Sequence, residues 1–416
     1  MMGKRIPGTA HCGIALISLA STMGCHTTQH ATAKLQAQQR WGTVRAEIKL
    51  QLAQQAFDHF RFAEAAEAAS EAIALDATLL DGHVLLAQSR IAESKTSEAR
   101  RIIATARRAG LAGPELDYTE GMLLEWQGRP EEALALYARA RSQHATRADY
   151  LIAQVECLVA LDRAEVAMRL LNETRRAFDD NPEVMLLAGR TAEFLNQPRQ
   201  AVRWLQDAYA RGAGSFDIAL AFGRALATTG RFLEAVSVLD PLLGSNLSES
   251  DESEVRRTLA IAHLAHGQAE SALRVITPQA QRHEDDTLAQ VLQARAALAL
   301  GDTSTASRAI DRALRGTSKS TQPRILQALL QKQSGATGDA AATLFDVLAD
   351  HPADVEAHCL LAEVMIVSKR FDAARVHFRK AIQLQPGCLW AIQGLQRLPQ
   401  PAPENEKPPV KLTAAQ

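Results

Sequence analysis

The sequence predicts an all-α solenoid of stacked helical hairpins, on three observations. First, an alanine recurs every 34 residues at Ala65, Ala99, Ala133, Ala167, Ala201 and Ala235; after one step of 37 to Ala272 the 34-residue step returns at Ala306, Ala340 and Ala374. A fixed period of this length marks a repeat array. Second, the slots around this anchor keep their chemistry. Twelve residues before it, nine of ten positions are Gly or Ala, among them Gly121, Gly189, Gly223 and Ala362, with Val155 the exception. Four residues after it all ten are apolar, from Ala69, Ile103 and Tyr137 to Leu344 and Phe378. Third, five residues before the anchor stand Gly128, Gly230, Gly267, Gly301 and Gly335, with Asp162 and Asn196 in two further units. These residue types tolerate the positive φ of a tight helix–helix turn.

Each element follows from these slots. Spacings of 4 and 7 place the anchor and its followers on one helical face. Small residues there let a second helix approach closely, and the larger residue fills the gap. Each unit therefore reads as two antiparallel helices of about 12–14 residues. Ala makes up 76 of the 416 residues, and it is the best helix former. Ten units cover residues 46–388. The three-residue excess falls near Gly244 to Glu254, a polar acidic stretch that reads as a lengthened loop. After the last unit, Cys388 to Leu398 reads as a closing helix with Leu389, Ile392 and Leu395 on one face, because a terminal hairpin needs a cover. Residues 399–416 hold five prolines and read as a disordered tail.

The pattern resembles the tetratricopeptide repeat family. It is carried best by Gly128-Arg-Pro-Glu-Glu-Ala-Leu-Ala-Leu-Tyr-Ala-Arg-Ala140, Gly230-Arg-Phe-Leu-Glu-Ala235 and Arg370-Phe-Asp-Ala-Ala-Arg-Val-His-Phe-Arg-Lys-Ala381. It departs from the family in having no Trp early in the first helices, and in holding Ala56, Leu124, His263 and Met365 where Tyr is usual. The resemblance implies a right-handed superhelix whose first helices line a concave surface, where extended peptides or partner proteins bind. It implies a non-enzymatic scaffold.

On that surface two sets of residues stand out. Tyr118 and Met122, with Trp126 adjacent, form an aromatic–Met group suited to anchoring a peptide. Arg190, Arg224 and Arg295 share the slot eleven before the anchor, and a row of guanidinium groups clamps a carboxylate or acidic peptide. The alternative is that they pair with acids such as Glu156 and Glu193 on a solvated face. Eighteen before the anchor, eight of ten units carry an acid: Glu47, Asp81, Glu115, Asp149, Glu183, Asp217, Glu254 and Glu356. That slot is the first turn of the first helix, where a carboxylate offsets the helix dipole.

The amino terminus reads as an address. Lys4 and Arg5 precede an apolar stretch from Ile14 to Met23, then Gly24 and Cys25. The stretch is too short to span a bilayer and has the flanks of an export signal. Ser21-Thr22-Met23-Gly24-Cys25 resembles a bacterial lipobox, with Thr22 where Leu is usual. That resemblance implies removal of residues 1–24 and a lipid anchor on Cys25. With His26 after the cysteine, it implies the outer membrane, facing the periplasm, in a bacterium with two membranes. An ordinary cleaved signal and an uncleaved anchor are the alternatives. Residues 25–45 read as a polar tether. The rival to an envelope-anchored scaffold is a soluble exported or cytosolic adaptor.

The remaining chemistry is sparse. A net charge of −1 argues against a broad electrostatic claim on nucleic acid. The chain has no Gly-rich phosphate loop, no His-Glu-x-x-His and no Gly-x-Ser-x-Gly, so no cofactor, metal or enzymatic activity is expected. His263 and His266 are three apart, yet His263 occupies a packed slot. Cys157, Cys359 and Cys388 are scattered and read as small buried hydrophobes, not as a disulfide framework.

Overall fold

The computed structural model describes residues 40–212, 214–244, 246–316 and 320–399, together with Lys34. Cys25, the export signal and the chain after Pro399 lie outside the described residues. Among the described residues the regular elements are all helical, without a strand, as the fold class predicts.

The chain divides into two compact units that meet in sequence between Asn196 and Gln197. The first contains α1 (residues 40–58), α2 (Phe62–Leu75), α3 (Leu80–Ala92), α4 (Thr96–Arg108), α5 (Pro114–Trp126), α6 (Pro130–Gln143), α7 (Ala148–Ala160), α8 (Ala164–Thr174) and α9 (Pro182–Phe194). The second contains α10 (Pro198–Arg211), α11 (Phe216–Thr228), α12 (Phe232–Leu239), α13 (Glu249–Ala265), α14 (Ala269–Arg282) and α15 (Thr287–Leu300). It continues with α16 (Thr303–Arg315), α17 (Gln322–Gln333), α18 (Thr337–Asp350), α19 (Val355–Val367), α20 (Phe371–Leu384) and α21 (Leu389–Arg397). Within each unit consecutive helices pack as antiparallel hairpins. Successive odd-numbered helices also touch: α3 on α5 and α7 on α9 in the first unit, and α11, α13, α15, α17 and α19 in series in the second. The odd-numbered helices are thus the inner layer of each solenoid unit.

The repeat slots explain the packing. All ten anchor alanines are fully buried, and all ten residues four positions on are at most 3% exposed. The slot twelve before the anchor faces the slot four after it. A Cβ added to Gly121 would lie 2.5 Å from the Tyr137 ring, and one added to Gly223 would lie 2.4 Å from Leu239. Large residue and missing side chain are therefore one feature, since close-packed interiors leave no void to absorb a methyl group.

The turn slot is more uniform than its residue types suggest. Every residue five before the anchor has positive φ, including Phe60 (58°), Ser94 (61°) and Lys369 (59°), which carry no sequence signal for it. Flanking backbone bonds hold them there, such as Arg61 N to Ala56 O at 2.8 Å and Arg370 N to Met365 O at 2.8 Å. For these L-residues the left-handed conformation costs about 1–2 kcal/mol, which neighbouring hairpins offset.

Three expectations need correction. Residues 40–45, assigned to the tether, belong to α1, whose Ala46 and Ala53 are fully buried. Most of the acidic loop at 244–254 is helix. The Asp251 amide donates to Ser248 Oγ at 3.2 Å, and Glu249, Asp251 and Glu252 lie in the first turn, so a good N-terminus lengthens α13 to 17 residues. The closing helix α21 turns a shifted face inward. Ala391 and Gly394 are buried, Ile392 and Leu395 are half-buried with Leu395 against the core, and Leu389 is 69% exposed. A Cβ on Gly394 would lie 2.3 Å from the Phe378 ring, so the bulk of Phe378 selects the small face of the cover.

Candidate partner-binding surface

In the first unit the inner helices α1, α3, α5 and α7 enclose a groove of about 500 Å³. Its apolar floor includes Leu50, Val84 and Leu85, and its walls bring together Tyr118 and Tyr150. Tyr118 lies between two other tyrosines, with its ring centroid 5.7 Å from Tyr137 and 5.3 Å from Tyr150. Tyr137 is fully buried and donates its hydroxyl to Glu125 at 2.5 Å. Burial and the Glu125 carboxylate together hold the Tyr137 phenol far above its ordinary range.

Tyr150 is 1% exposed, and its hydroxyl is sealed from solvent beside the Glu115 carboxylate. Burial, then the nearby Glu115 carboxylate, push its phenol up to about 12. The Arg147 guanidinium stands 5.2 Å from the Tyr150 ring and pairs with Asp149 at 2.9 Å.

The groove is acidic. Asp81, Glu115 and Asp149 line it against the single cation Arg147. All three acids belong to the slot eighteen before the anchor, which the sequence reading assigned to helix-dipole stabilisation. Their role as groove lining was legible as a 34-residue spacing but required knowing which face of the helix turns inward.

Of the aromatic–Met group, Tyr118 and Met122 pack against one core cluster and Trp126 stands apart. Tyr118 lines the groove. Met122, one turn on, packs among the core residues of α3 to α6 and is half-buried. Trp126, at the end of α5, is 61% exposed and is not part of the groove lining. The arginines are engaged. In the second unit Arg224 donates to Glu254 at 3.3 Å, and Arg295 donates to Glu356 at 3.0 Å and also to Gln322. In the first unit Arg190 is exposed on α9 and lowers the Glu156 carboxyl, although burial keeps that carboxyl above its ordinary value. The acids that answer Arg224 and Arg295 are not the ones the sequence suggested. They come from the acidic slot of later repeats, where a residue eleven before one anchor meets a residue eighteen before a later one.

The other candidates have local partners. His263 is buried, with Nδ1 2.8 Å from Gln268 Oε1. Asp286 caps α15 through the Ala289 amide and accepts from Arg257 at 2.6 Å. Burial opposes its ionisation, but bonds from Gln279, the Ala289 amide and Arg257 hold the carboxyl below its usual range. Cys157 donates to the Pro130 carbonyl at 3.1 Å. Among the described residues no group of three metal-binding side chains occurs, and no helix is long and apolar enough to cross a membrane.

Comparison with known proteins places two stretches in one family. Residues 127–189 and residues 325–387 each match a family model described as tetratricopeptide repeat. No curated protein matches the sequence. Among solved structures, the chain is similar to a tetratricopeptide repeat protein from Parabacteroides merdae at 12% identity and TM-score 0.47, covering 61% of this chain and 98% of that one. It is similar to PilF of Pseudomonas aeruginosa at 14% identity and TM-score 0.44, covering 52% and 96%. It is also similar to a chain of the APC/C hetero-tetramer Cut9–Hcn1 at 11% identity and TM-score 0.43, covering 86% and 98%.

Proposed function

We propose that this tetratricopeptide repeat protein is a scaffold, not an enzyme, and that it holds a partner protein by an extended, basic and apolar segment laid along the groove of α1, α3, α5 and α7. The observation that carries this reading is the groove's charge, with Asp81, Glu115 and Asp149 set against the single cation Arg147 beside Tyr118 and Tyr150. The ligand it suits contributes an apolar side chain to the floor near Val84 and Leu85, and a Lys or Arg to Asp81 and Glu115. An acidic ligand would meet the same carboxylates as a repulsion. The membership of the family supports a protein partner, and the charge of the groove supports its basic character.

The scaffold acts at the bacterial envelope, tethered by a lipid on Cys25. The lipobox-like context of Cys25 supports this. So does α1, the described helix that follows it, where Trp41, Val44, Ile48 and Leu52 are all exposed along one side.

Two experiments test the proposal separately. Fluorescently labelled extended peptides, matched in apolar content but rich in Lys and Arg or in Glu, are titrated onto the purified protein. The basic set is expected to bind, with affinity falling as salt rises, and Glu115→Gln to weaken it about tenfold by removing one groove carboxylate. Equal binding of the acidic set would overturn the groove assignment. For the anchor, metabolic labelling with a fatty acid is compared between wild type and Cys25→Ser. Loss of label in the variant supports lipidation at Cys25, and equal label in both removes it.

A further inference from the structure

The fold unites two cysteines that are 29 positions apart in the chain. Cys359 sits in α19, fully buried, and Cys388 is the residue before α21, half-buried at the edge of the same core cluster. Their sulfurs are 3.8 Å apart, in van der Waals contact. Cys157, by contrast, is buried beside a backbone carbonyl in the first unit. Cys359 and Cys388 straddle the joint between the last hairpin and its cover. The cover needs such a fastening, because α21 has nine residues and an isolated helix of that length is not stable in water. It is also held by Ala391, Gly394, Leu395 and Leu398 against the core and by a bond from Trp390 Nε1 to Glu363 at 2.6 Å.

We propose that Cys359 and Cys388 are a redox-active pair that closes into a disulfide, fastening α21 onto α19 when the protein meets a low-molecular-weight disulfide such as oxidised glutathione. Side-chain rotation brings the sulfurs from contact to the bonded separation of about 2.05 Å. The order of events follows exposure. Cys388, the accessible thiol, attacks as thiolate one sulfur of the oxidant, forming a mixed disulfide and releasing one thiolate. Cys359 then loses its proton, its sulfur attacks Cys388 Sγ, and the second thiolate leaves. Both released thiolates are protonated by the two protons given up. Two protein thiols lose two electrons in total, and one oxidant disulfide becomes two thiols. Burial holds the Cys359 thiol up to about 12, with Cys388 adding to the effect, which fits its part as the second and not the first nucleophile. The closed bond would lock the cover over Phe378.

The test uses the full-length reduced protein, incubated natively with oxidised glutathione, alkylated, digested and mapped by mass spectrometry. The expected product joins the peptides containing Cys359 and Cys388, two hydrogens lighter than their sum. It should form in Cys157→Ser and be absent in Cys388→Ser. In the oxidised wild type, amide exchange across residues 389–397 should slow about tenfold relative to the reduced protein. A stable glutathione adduct on Cys388 with Cys359 still free would overturn the proposal. So would a linked peptide that appears only after denaturation.

Discussion

Asp81, Glu115 and Asp149 in the first unit and Glu254 and Glu356 in the second occupy one slot of the repeat, eighteen residues before the anchor alanine. Their surroundings differ because of the slot seven residues further on. In the second unit it holds Arg224 and Arg295, which donate to Glu254 and Glu356. In the first unit the repeats around the groove hold Gln54, Gln88, Met122 and Glu156 there, none of them a cation, and Arg190 enters only on α9, outside the groove lining. Asp81 and Glu115 form no ion pair among the described residues, and Arg147 pairs with Asp149 while its charge also reaches Glu115. One acidic stripe is thus left open beside a tyrosine-walled groove in one unit and is internally neutralised in the other. Repetition fixes the scaffold, and the residue in a single slot decides whether a face is available to a charged partner.

The strongest way to break that comparison is to spoil the groove through the packing beneath it. In Gly121→Ala the new methyl meets the Tyr137 ring, which is fully buried, bonded to Glu125 and stacked on Tyr118. The expected cost is about 2–3 kcal/mol, as for other overpacked sites, less the ~1 kcal/mol that Ala gains over Gly in a helix. Peptide binding should fall with it as Tyr118 shifts. Gly223→Ala presses on Leu239 instead and should cost a similar amount while leaving groove affinity unchanged. Urea unfolding followed by circular dichroism, paired with the peptide titration, separates the two. Loss of binding in both variants would show that the groove depends on more than its own packing.

Asp117 gives the next effect. It is buried, accepting from Arg139 at 2.6 Å and also from Arg107, which reaches Glu120 as well. Burial works against its ionisation, but the bonds from Arg139 and Arg107 prevail and lower its carboxyl below the usual value. A folded-state value below the unfolded one contributes stability in full above about pH 4, and this is lost as pH falls through the folded-state value. Asp117→Asn should cost about 2 kcal/mol at pH 7, reduced from a fully buried pair because Arg139 is half exposed. The gap from wild type should close as the pH approaches 2. A gap that is the same at pH 7 and pH 2 would remove the ion pair as its cause.

The fold was readable because its determinants are local and repeated. A helix face needs small and large residues at fixed spacing, and Gly121 with Tyr137 or Gly223 with Leu239 declares that need in composition alone. The positive φ at Phe60, Ser94 and Lys369 was not readable, because tertiary packing forces those residues into a conformation their side chains do not favour. The same limit explains the site. Met122 and Trp126 sit on the predicted helix, but which side of α5 turns inward depends on α3 and α6. The approach of Cys359 and Cys388 depends on how α21 folds back, a long-range event with no signature in cysteine spacing. The partners of Arg224 and Arg295 follow from the repeat arithmetic: Arg224 meets Glu254 of the next unit, and Arg295 meets Gln322 of the next unit and Glu356 of the one after.

Smaller effects sharpen the contrast. Glu115→Gln removes one groove carboxylate from the first turn of α5, so stability should change by under about 1 kcal/mol while basic-peptide affinity falls. A larger stability loss would mean that the carboxylate serves the fold more than the ligand. Smallest in stability is the double variant Arg224→Gln with Arg295→Gln. Both arginines are about half exposed, and pairs of this kind contribute under about 1 kcal/mol each. The informative readout is binding. Made in the Glu115→Gln background, where the first groove is weakened, the double variant unmasks Glu254 and Glu356 and should gain salt-sensitive affinity for the basic peptides. If the unmasked acids attract nothing, charge alone does not separate the two faces, and the tyrosine wall around Tyr118 carries the recognition.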